Sequence, residues 1–422
     1  MNNAEKLTEF IGNIPDAAFG ARYIANELDD YGFEELDLSK PLRLKKGGAY
    51  YAVKESSSII AFTVGQNLKK PQFKITAAHL DSPSFKIKKA PTLIDKGYIR
   101  LNTEAFGGVA ASSWFDRPLS FAGRIIASGE TYLKPQEIFM DFKRPMLTIP
   151  SLAPHFKKAL AEPDLQKETL PVCGVLSEDK DFDFEKYIAK EARVAEGNIL
   201  DYEFTVYNAE KGAFLGLEND FLSAPRLDDL LMVFCITEGF KKERSRDYIN
   251  MAFFFDNEEV GSMTSEGAKS VFWRDMLMRI GRGLGYSNED VAAACQDSIA
   301  LSCDVAQGYH PNYGEKYDIT NFPVLNGGIV IKYAASKTYS TEVYSAAVFK
   351  EICREHKVPV QSFYNRSGIR GGQSAGALFS AGLGLPFVEI GLPILAMHSA
   401  RELCGCKDIE TGIKLFKAFY TI

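Results

Sequence analysis

Residues 254–260 read Phe-Phe-Asp-Asn-Glu-Glu-Val, so that a hydrophobic strand runs directly into two adjacent glutamates. The apolar run from Ile249 to Phe255 predicts a buried strand, and a buried strand directs the acids that follow it into a crevice. Consecutive side chains at a strand end point to opposite sides. Glu259 can therefore bind a metal ion while Glu258, unligated, takes a proton from a water. A solvated loop after the strand is the alternative.

The composition limits the classes of partner. With 422 residues and 46% hydrophobic content, the chain predicts two or three globular domains at roughly 100–200 residues each. The net charge is -6 and the basic residues are scattered, which argues against nucleic acid and membrane surfaces. We expect a cytoplasmic protein, because no secretory leader and no run of about 18 apolar residues occurs. Seven cysteines, mostly far apart, indicate reduced thiols.

Short apolar runs alternate with amphipathic stretches over most of the chain, which predicts an α/β sheet with helices on both faces. The predicted strands are Phe73–Ala78, Ile249–Phe255, Ser298–Ser302, Gly328–Ile331 and Pro386–Ile390, and the clearest predicted helices are Leu227–Lys241, Thr341–His356 and Asp408–Tyr420. Residues 91–219 interrupt this alternation with several prolines and an acidic stretch. We interpret them as an inserted domain that divides the first domain into 1–90 and 220–422.

His79 and Asp81 follow the predicted strand Phe73–Ala78, and α/β sheets build their sites at the carboxyl ends of strands. Alternation directs both side chains to one side. A metal-bound imidazole needs its second nitrogen held by a carboxylate or a carbonyl. Asp81 is suited to that role or to anchoring local backbone, although such a pair also arises by chance.

Three more candidate ligands occur beside apolar segments. Asp228 opens a helical run, where the alternative is a helix cap. Asp304 ends the run 299–303, and His398 follows the segment 391–397. Two Zn²⁺ ions about 3.5–4 Å apart concentrate four positive charges and therefore need carboxylates, preferably one that bridges both ions. Asp228, Glu259 and Asp304 supply the acids of such a site.

In this order the residues resemble the M18 family of zinc metallopeptidases, the aspartyl aminopeptidase group, over nearly the whole length. The motifs that carry the resemblance are Ala78-His79-Leu80-Asp81-Ser82-Pro83, Trp114-Phe115-Asp116-Arg117, Ser223-Ala224-Pro225-Arg226-Leu227-Asp228, Asp256-Asn257-Glu258-Glu259-Val260-Gly261-Ser262, His310-Pro311-Asn312-Tyr313 and Leu395-Ala396-Met397-His398-Ser399-Ala400-Arg401-Glu402. The resemblance implies a mixed sheet flanked by helices, of the two-zinc exopeptidase type, with an inserted, mainly β dimerisation domain.

The resemblance also implies a role for each site residue. His79 and Asp304 would hold one Zn²⁺, Glu259 and His398 the other, and Asp228 would bridge them before a cis peptide. Mn²⁺ or Co²⁺ could substitute, because carboxylate-rich sites accept several divalent ions. The reaction implied is removal of single N-terminal residues from peptides with a free amine, with Glu258 as the general base.

Further expectations concern the substrate and the assembly. We assign stabilisation of the oxyanion to His310, by donation of a hydrogen bond. The resemblance implies that Lys332 binds an acidic substrate side chain, and that His155 reaches into a neighbouring subunit's site in a tetrahedral dodecamer built from dimers. The surroundings of Lys332 depart from the family pattern, with Gln307 and Thr338 where histidine and arginine are common, which weakens the expectation of strict Asp/Glu preference. A two-zinc deacylase or carboxypeptidase, or an inactive shell-forming protein, remains an alternative.

Overall fold

The computed structural model of the chain describes residues 1–156, 162–176, 181–369 and 371–422. In these ranges the helices are α1 Asn3–Asn13, α2 Ala17–Asp30, α3 Phe184–Ala192, α4 Leu227–Phe240, α5 Phe272–Gly283, α6 Asn288–Gln296, α7 Val343–Glu355, α8 Gly376–Leu383 and α9 Cys406–Thr421. The strands are β1 Glu34–Glu35, β2 Ala49–Lys54, β3 Ser58–Val64, β4 Phe73–His79, β5 Ser84–Asp95, β6 Tyr98–Phe106, β7 Leu119–Thr131, β8 Lys134–Asp141, β9 Val172–Val175, β10 Ile199–Asn208, β11 Ala213–Leu215, β12 Phe221–Ala224, β13 Ile249–Phe255, β14 Ile299–Cys303, β15 Ala306–Gln307, β16 Ile329–Tyr333, β17 Val360–Tyr364, β18 Phe387–Gly391, β19 Pro393–Leu395 and β20 Glu402–Gly405.

The central sheet is mixed and has nine strands in the order β1-β2-β3-β13-β4-β14-β18-β16-β17. Strands β13, β4, β14 and β18 are mutually parallel where they pair, whereas β3 and β16 run antiparallel to their neighbours in this group. All seven residues of β4 and all seven of β13 are buried, as expected for strands covered on both faces. The carboxyl ends of these parallel strands therefore meet at one edge.

Apolar clusters cover both faces of this sheet. One cluster packs the helices α1, α2, α4 and α9 against it, and α4 is buried along almost its whole length. The other cluster packs α5, α6 and α8 on the opposite face, around the fully buried Trp273. The pattern of short apolar strands between amphipathic helices has thus produced the predicted α/β architecture.

The second sheet is antiparallel and has six strands in the order β8-β7-β10-β5-β6-β9, with α3 and its own apolar cluster. It begins at Ser84, seven residues before the proposed insert 91–219. Residues 157–161 and 177–180 of that proposed insert lie outside the described ranges. This sheet is the mainly β unit that the sequence predicted.

A third sheet of five short strands, in the order β11-β12-β20-β19-β15, lies beside the site. Its strands β12 and β20 are antiparallel, and their register sets Ala224 opposite Glu402. The short sheet therefore brings the segment before Asp228 next to the segment after His398.

Every strand and helix predicted above occurs within two residues of its predicted ends. For example, Ile249–Phe255 is observed as predicted, and Thr341–His356 is observed as Val343–Glu355. Among the described residues, no helix is both long enough and apolar enough to span a bilayer.

Candidate metal centre

His79 ends the buried strand β4, and its ring is oriented by the backbone two residues ahead. Its Nδ1 lies 2.9 Å from the carbonyl oxygen of Asp81, and that carbonyl can only accept, so Nδ1 donates. The Nε2 of the neutral ring is then a bare lone pair. The predicted partner for this imidazole was either a carboxylate or a carbonyl of Asp81, and the closer contact is the carbonyl, since Oδ1 is 3.5 Å away.

The carboxylate of Asp81 binds the segment with the two glutamates instead. Its Oδ1 accepts the backbone N–H of Glu258 at 3.1 Å, and its Oδ2 accepts that of Glu259 at 3.0 Å. These two N–H groups open a short 3₁₀ turn, and the first N–H groups of any helical turn lack internal partners. Asp81 thus anchors the turn from the neighbouring strand end.

The two glutamates do not continue the alternation of β13. The strand ends at Phe255, Asn257 has a φ of 64°, and Glu258 and Glu259 then lie in the turn. Ligand atoms of both glutamates lie within 4.8 Å of His79 and of each other. The left-handed residue has therefore turned both acids to the same site, contrary to the expected opposite orientation.

Asp228 enters the site through irregular backbone at the start of α4. Its bond to Asp229 is a cis peptide, as the resemblance implied, and neither aspartate has helical dihedral angles. Neither is a helix cap, because the residue in the cap position is Arg226, which has no side-chain capping bond. The Asp228 side chain is only 4% exposed.

Asp304 follows β14, so its segment leaves the sheet at the same edge as His79. Its Oδ1 lies 3.9 Å from His79 Nε2, and its Oδ2 accepts a hydrogen bond at 3.0 Å from the ammonium of Lys332. Lys332 is buried on β16 and also donates to the Val305 carbonyl at 3.0 Å. Burial opposes the charge of Lys332, yet Asp304 raises its pKa above the usual range. The Lys332 ammonium is therefore already paired with Asp304, a proposed metal ligand.

His398 closes the site from the loop between β19 and β20. Its Nδ1 donates to the carbonyl of Gly108 at 3.0 Å, which leaves Nε2 as a lone pair. That nitrogen lies 3.4 Å from Asp228 Oδ2 and 3.6 Å from Glu259 Oε2. Gly108 follows β6, so a loop of the antiparallel sheet orients this imidazole.

The two oxygens of Asp228 face two different imidazoles. Oδ1 lies 3.2 Å from His79 Nε2, and Oδ2 lies 3.4 Å from His398 Nε2. In the neutral rings both nitrogens present lone pairs, and Asp228 Oδ1 is buried without a hydrogen-bond partner. Ligand atoms about 2.1 Å from one tetrahedral ion are about 3.4 Å apart, so these spacings fit a cation on each side of Asp228.

Two groups of donor atoms correspond to the two sides of Asp228. One contains His79, Asp228, Asp229 and Asp304, and the other contains Asp228, Glu259 and His398. A further group joins His79 to Glu258 and Glu259. Each combines imidazole nitrogen with carboxylate oxygen, a donor set that suits Zn²⁺ and also accepts Mn²⁺ or Co²⁺. The five residues that the resemblance implied as ligands thus lie close together in the structure.

In the metal-free state, bound protons offset the negative charge of this cluster of acids. Hydrogen bonding to Asp228 raises the pKa of His398 to about 9, against partial burial. Burial of Asp228 is outweighed by its contacts with His398 and His79, which keep its pKa well below the usual range. Burial and nearby acids raise the pKa of Glu258 to about 8. Bound divalent ions would lower that value toward the range of a general base.

Two buried acids in this region were not predicted from the sequence. Glu402 accepts the N–H groups of Asp228 and His398 at 2.9 and 2.8 Å, and Asp229 accepts those of His79 and Val305 at 3.3 and 3.2 Å. Asp229 follows a proposed ligand, and Glu402 ends the last motif quoted above. Their adjacency to ligands was the only signal available in the sequence.

His310 and His155 lie outside both donor groups. His310 is half-buried after β15, and its Nδ1 accepts the N–H of Asn312 at 3.3 Å, so its Nε2 carries the proton of the neutral ring. That tautomer is able to donate a hydrogen bond to an oxyanion. His155 is exposed in the region of the proposed insert.

Comparison with known proteins agrees with this geometry. The family profile described as "Aminopeptidase I zinc metalloprotease (M18)" matches residues 10–420. The chain belongs to the M18 family. It is 41% identical over 426 residues to the probable M18 family aminopeptidase 2 of Clostridium novyi (strain NT), covering 99% of this chain and 98% of that protein.

Solved structures with the same fold include aminopeptidases. A chain in the structure of the Ape4 and Nbr1 complex is similar, with a TM-score of 0.92 and 30% identity, covering 99% of this chain and 85% of that chain. The S. cerevisiae mApe1 dodecamer is similar with a TM-score of 0.83 and 25% identity over 99% and 96% of the two chains. This M18 member is therefore a metallo-aminopeptidase, a hydrolase of peptide bonds.

Proposed function

We propose that this M18 aminopeptidase removes single N-terminal residues from peptides by means of two Zn²⁺ ions and Glu258 as the general base. One observation carries the proposal: the two oxygens of a buried Asp228 each face an imidazole Nε2, at 3.2 and 3.4 Å. A nitrogen lone pair and a carboxylate oxygen at that distance need a proton or a metal ion between them, and bound Zn²⁺ would take the place of the protons. His79 and Asp304 would hold one ion, Glu259 and His398 the other, and Asp228 both.

When bound, the two ions would polarise the scissile carbonyl and lower the pKa of a water. Glu258 is the acid within reach of this centre that we leave unligated. Its anchored backbone keeps the carboxylate beside His79 and Glu259, where it can take a proton from the attacking water and return it to the leaving amine. We assign oxyanion stabilisation to the Nε2–H of His310, which its Asn312 contact leaves free to donate.

The preference for an acidic substrate side chain depends on Lys332. The resemblance implies that Lys332 binds an acidic side chain, yet its buried ammonium already donates to Asp304 and to the Val305 carbonyl. A cation shared with a metal ligand offers little free charge to a substrate. We therefore propose that acidic N-terminal residues are accepted without being required.

The proposed assembly is a homo-oligomer, a tetrahedral dodecamer built from dimers through the region 91–219. The mApe1 relative is a dodecamer. In this chain the β7–β8 hairpin ends in Tyr132 and Leu133, which are fully exposed apolar side chains and suit an interface better than solvent. His155 would then reach a neighbouring site. A native mass twelve times that of the chain would support this assembly, and a stable monomer would contradict it.

The proposed compartment is the cytoplasm. All seven cysteines are free thiols in the structure, and five of them are buried. Reduced, buried cysteines are typical of a reducing compartment.

The test is release of the first residue from a peptide panel with acidic, apolar and basic first residues, each with a free and an acetylated amine. We expect cleavage of free-amine peptides alone, and a fall in kcat of about 10²–10⁴ in Glu258→Gln with the metal content unchanged. Glu355→Gln, which alters an exposed acid on α7, is the matched control and should match wild type. Equal cleavage of acetylated peptides would instead favour a deacylase, and release from the carboxyl end a carboxypeptidase.

A further inference from the structure

Glu402 holds together the backbone of two proposed ligands that are far apart in the chain. Its Oε2 accepts the N–H of Asp228 at 2.9 Å, and its Oε1 accepts the N–H of His398 at 2.8 Å. The side chain is 2% exposed, and the β12–β20 register sets it beside the segment that leads into Asp228. Each oxygen is thus used by one ligand-bearing residue.

Asp229 does the same on the other side of the centre. Its Oδ2 accepts the N–H of His79 at 3.3 Å, and its Oδ1 accepts the N–H of Val305 at 3.2 Å, next to Asp304. Asp229 is fully buried. An oxygen of Asp229 lies within 4.8 Å of donor atoms of His79, Asp228 and Asp304. Both of its oxygens already accept backbone N–H groups, which suits Asp229 to holding ligand segments.

We propose that Glu402 and Asp229 are positioning residues, each of which holds the ligands of one of the two metal positions. Glu402 sets the affinity of the position formed by Glu259 and His398, and Asp229 sets the affinity of the position formed by His79 and Asp304. This inference rests on the proposed two-metal function. It goes further by assigning each position its own buried carboxylate, whose removal should weaken that position and spare the other.

An isosteric amide is a sharp test because both oxygens of each acid accept an N–H group. In Glu402→Gln or Asp229→Asn, one oxygen becomes an NH₂ group, which can only donate and therefore opposes one backbone donor. The side-chain volume is unchanged, so any effect arises from the lost acceptor and not from a cavity. Loss of an outer hydrogen-bond partner commonly costs about 10–100-fold in metal affinity.

Each metal position is first studied alone, in a variant that lacks a ligand of the other position. The amide substitution is then added to that variant. His398→Ala leaves the His79 and Asp304 position, and His79→Ala leaves the Glu259 and His398 position. Zn²⁺ Kd is measured by chelator competition in each background, with and without Glu402→Gln or Asp229→Asn. We expect Asp229→Asn to raise the Kd about 10–100-fold in the His398→Ala background and less than about threefold in the other, and Glu402→Gln to do the reverse.

Asp408 provides the matched control. It is a third fully buried acid whose two oxygens each accept a backbone N–H, from Gly328 at 2.9 Å and from Asn326 at 2.5 Å, and it lies outside both donor groups. Asp408→Asn should lower thermal stability and leave Zn²⁺ Kd unchanged in both backgrounds. A merely structural role would make Glu402→Gln and Asp229→Asn behave like Asp408→Asn.

The outcomes separate the inference from the proposed function. If wild type binds two ions but both amides weaken both positions equally, or neither, the inference is overturned and the proposed function stands. If wild type binds no metal, both are overturned. Should Glu402→Gln not fold, Glu402→Asp keeps both acceptors on a side chain shorter by one methylene, and the same selective loss of affinity is expected.

Discussion

The contacts of Lys332 limit what its side chain can bind. Lys332 was predicted from the resemblance to bind an acidic substrate side chain. In the structure its ammonium donates to Asp304 Oδ2 and to the Val305 carbonyl. The sequence could not reveal this contact, because it depends on the order of the sheet, in which β14 and β16 lie on either side of β18.

Lys332→Met should therefore affect all substrates alike. Removal of the ammonium leaves Asp304 Oδ2 without its Lys332 partner next to the metal position, which disturbs the site whatever the substrate. We expect kcat/KM to fall by a similar factor, about tenfold or more, for peptides beginning with Asp and with Leu.

The measurement is the ratio of the two kcat/KM values in wild type and in the variant. A ratio that shifts tenfold against Asp would mean that Lys332 binds the substrate side chain directly. Lys337→Met, which removes an exposed lysine paired with Glu342, is the control and should change neither value.

At the scale of single residues, the residues of the proposed metal site were recognisable in the sequence and their hydrogen-bond partners were not. His79, Asp228 and Asp304 stand beside apolar runs, and that signal is local. Asp81 was expected to hold an imidazole or local backbone, and its carboxylate accepts the Glu258 and Glu259 N–H groups. Such contacts depend on which strand ends are neighbours, and spacing along the chain contains little information about that.

The elements were predicted more closely than the turns between them. Strands such as β13 are buried on both faces, so their apolar runs define them almost completely. The turn after β13 was not predicted, because Asn257 adopts a φ of 64°, which reorients both glutamates. One residue in the left-handed region is enough to break the period-two pattern on which strand predictions rest.

The loop after β6 is the element most closely packed against the site. Gly107 has a φ of 72°, and a Cβ there would lie 2.9 Å from the Cβ of Glu259. Gly107→Ala should therefore displace Glu259 and weaken Zn²⁺ binding at the position it shares with His398 by tenfold or more, because ligand geometry is fixed within tenths of an ångström.

Zn²⁺ Kd of Gly107→Ala is compared with that of Gly197→Ala. Gly197 has a similar φ of 86° but no atom within 4 Å of its would-be Cβ, so it reports backbone strain alone. Its substitution should lower stability by about 1 kcal/mol and leave metal binding intact. Equal Kd values for the two variants would exclude the proposed contact with Glu259.

On the scale of the whole molecule, fold class and family were predictable because many ordered motifs span the chain. The six-stranded antiparallel sheet was foreseen as an insert, although its first strand already begins at Ser84. The way the sheets meet was not foreseen. Asp228 follows β12 and His398 lies between β19 and β20 of the short third sheet, whereas the other proposed ligands lie at or just after the ends of central-sheet strands. No local pattern joins the two groups.

Metal removal should make the protein sensitive to alkaline pH. In the metal-free protein, burial raises the pKa of Glu258 and Glu402 to about 8, and contact with Asp228 raises that of His398 to about 9. The folded state then holds more protons than the unfolded state, so this stability is present at low pH and lost as pH rises from about 5 to 9. Bound ions replace those protons.

The measurement is the Tm with excess Zn²⁺ and with a chelator, at intervals from pH 7 to pH 9. We expect the Tm of the chelated protein to fall over this window and the gap between the two curves to widen. His398→Ala, chelated, should lose part of the slope because one titrating group is gone. A chelated Tm that stays constant or rises would contradict the proton balance described above.

The loop that orients His398 also belongs to the antiparallel sheet. Gly108 accepts from the imidazole, and the N–H of Ala110 donates to the His398 carbonyl at 3.1 Å. In a shell assembled through that sheet, each catalytic centre would be mechanically joined to the scaffold that encloses it. Loss of the ions from one subunit would then weaken the contact between its site and the sheet that joins it to its neighbours. An intact assembly would therefore indicate that its sites are occupied by metal.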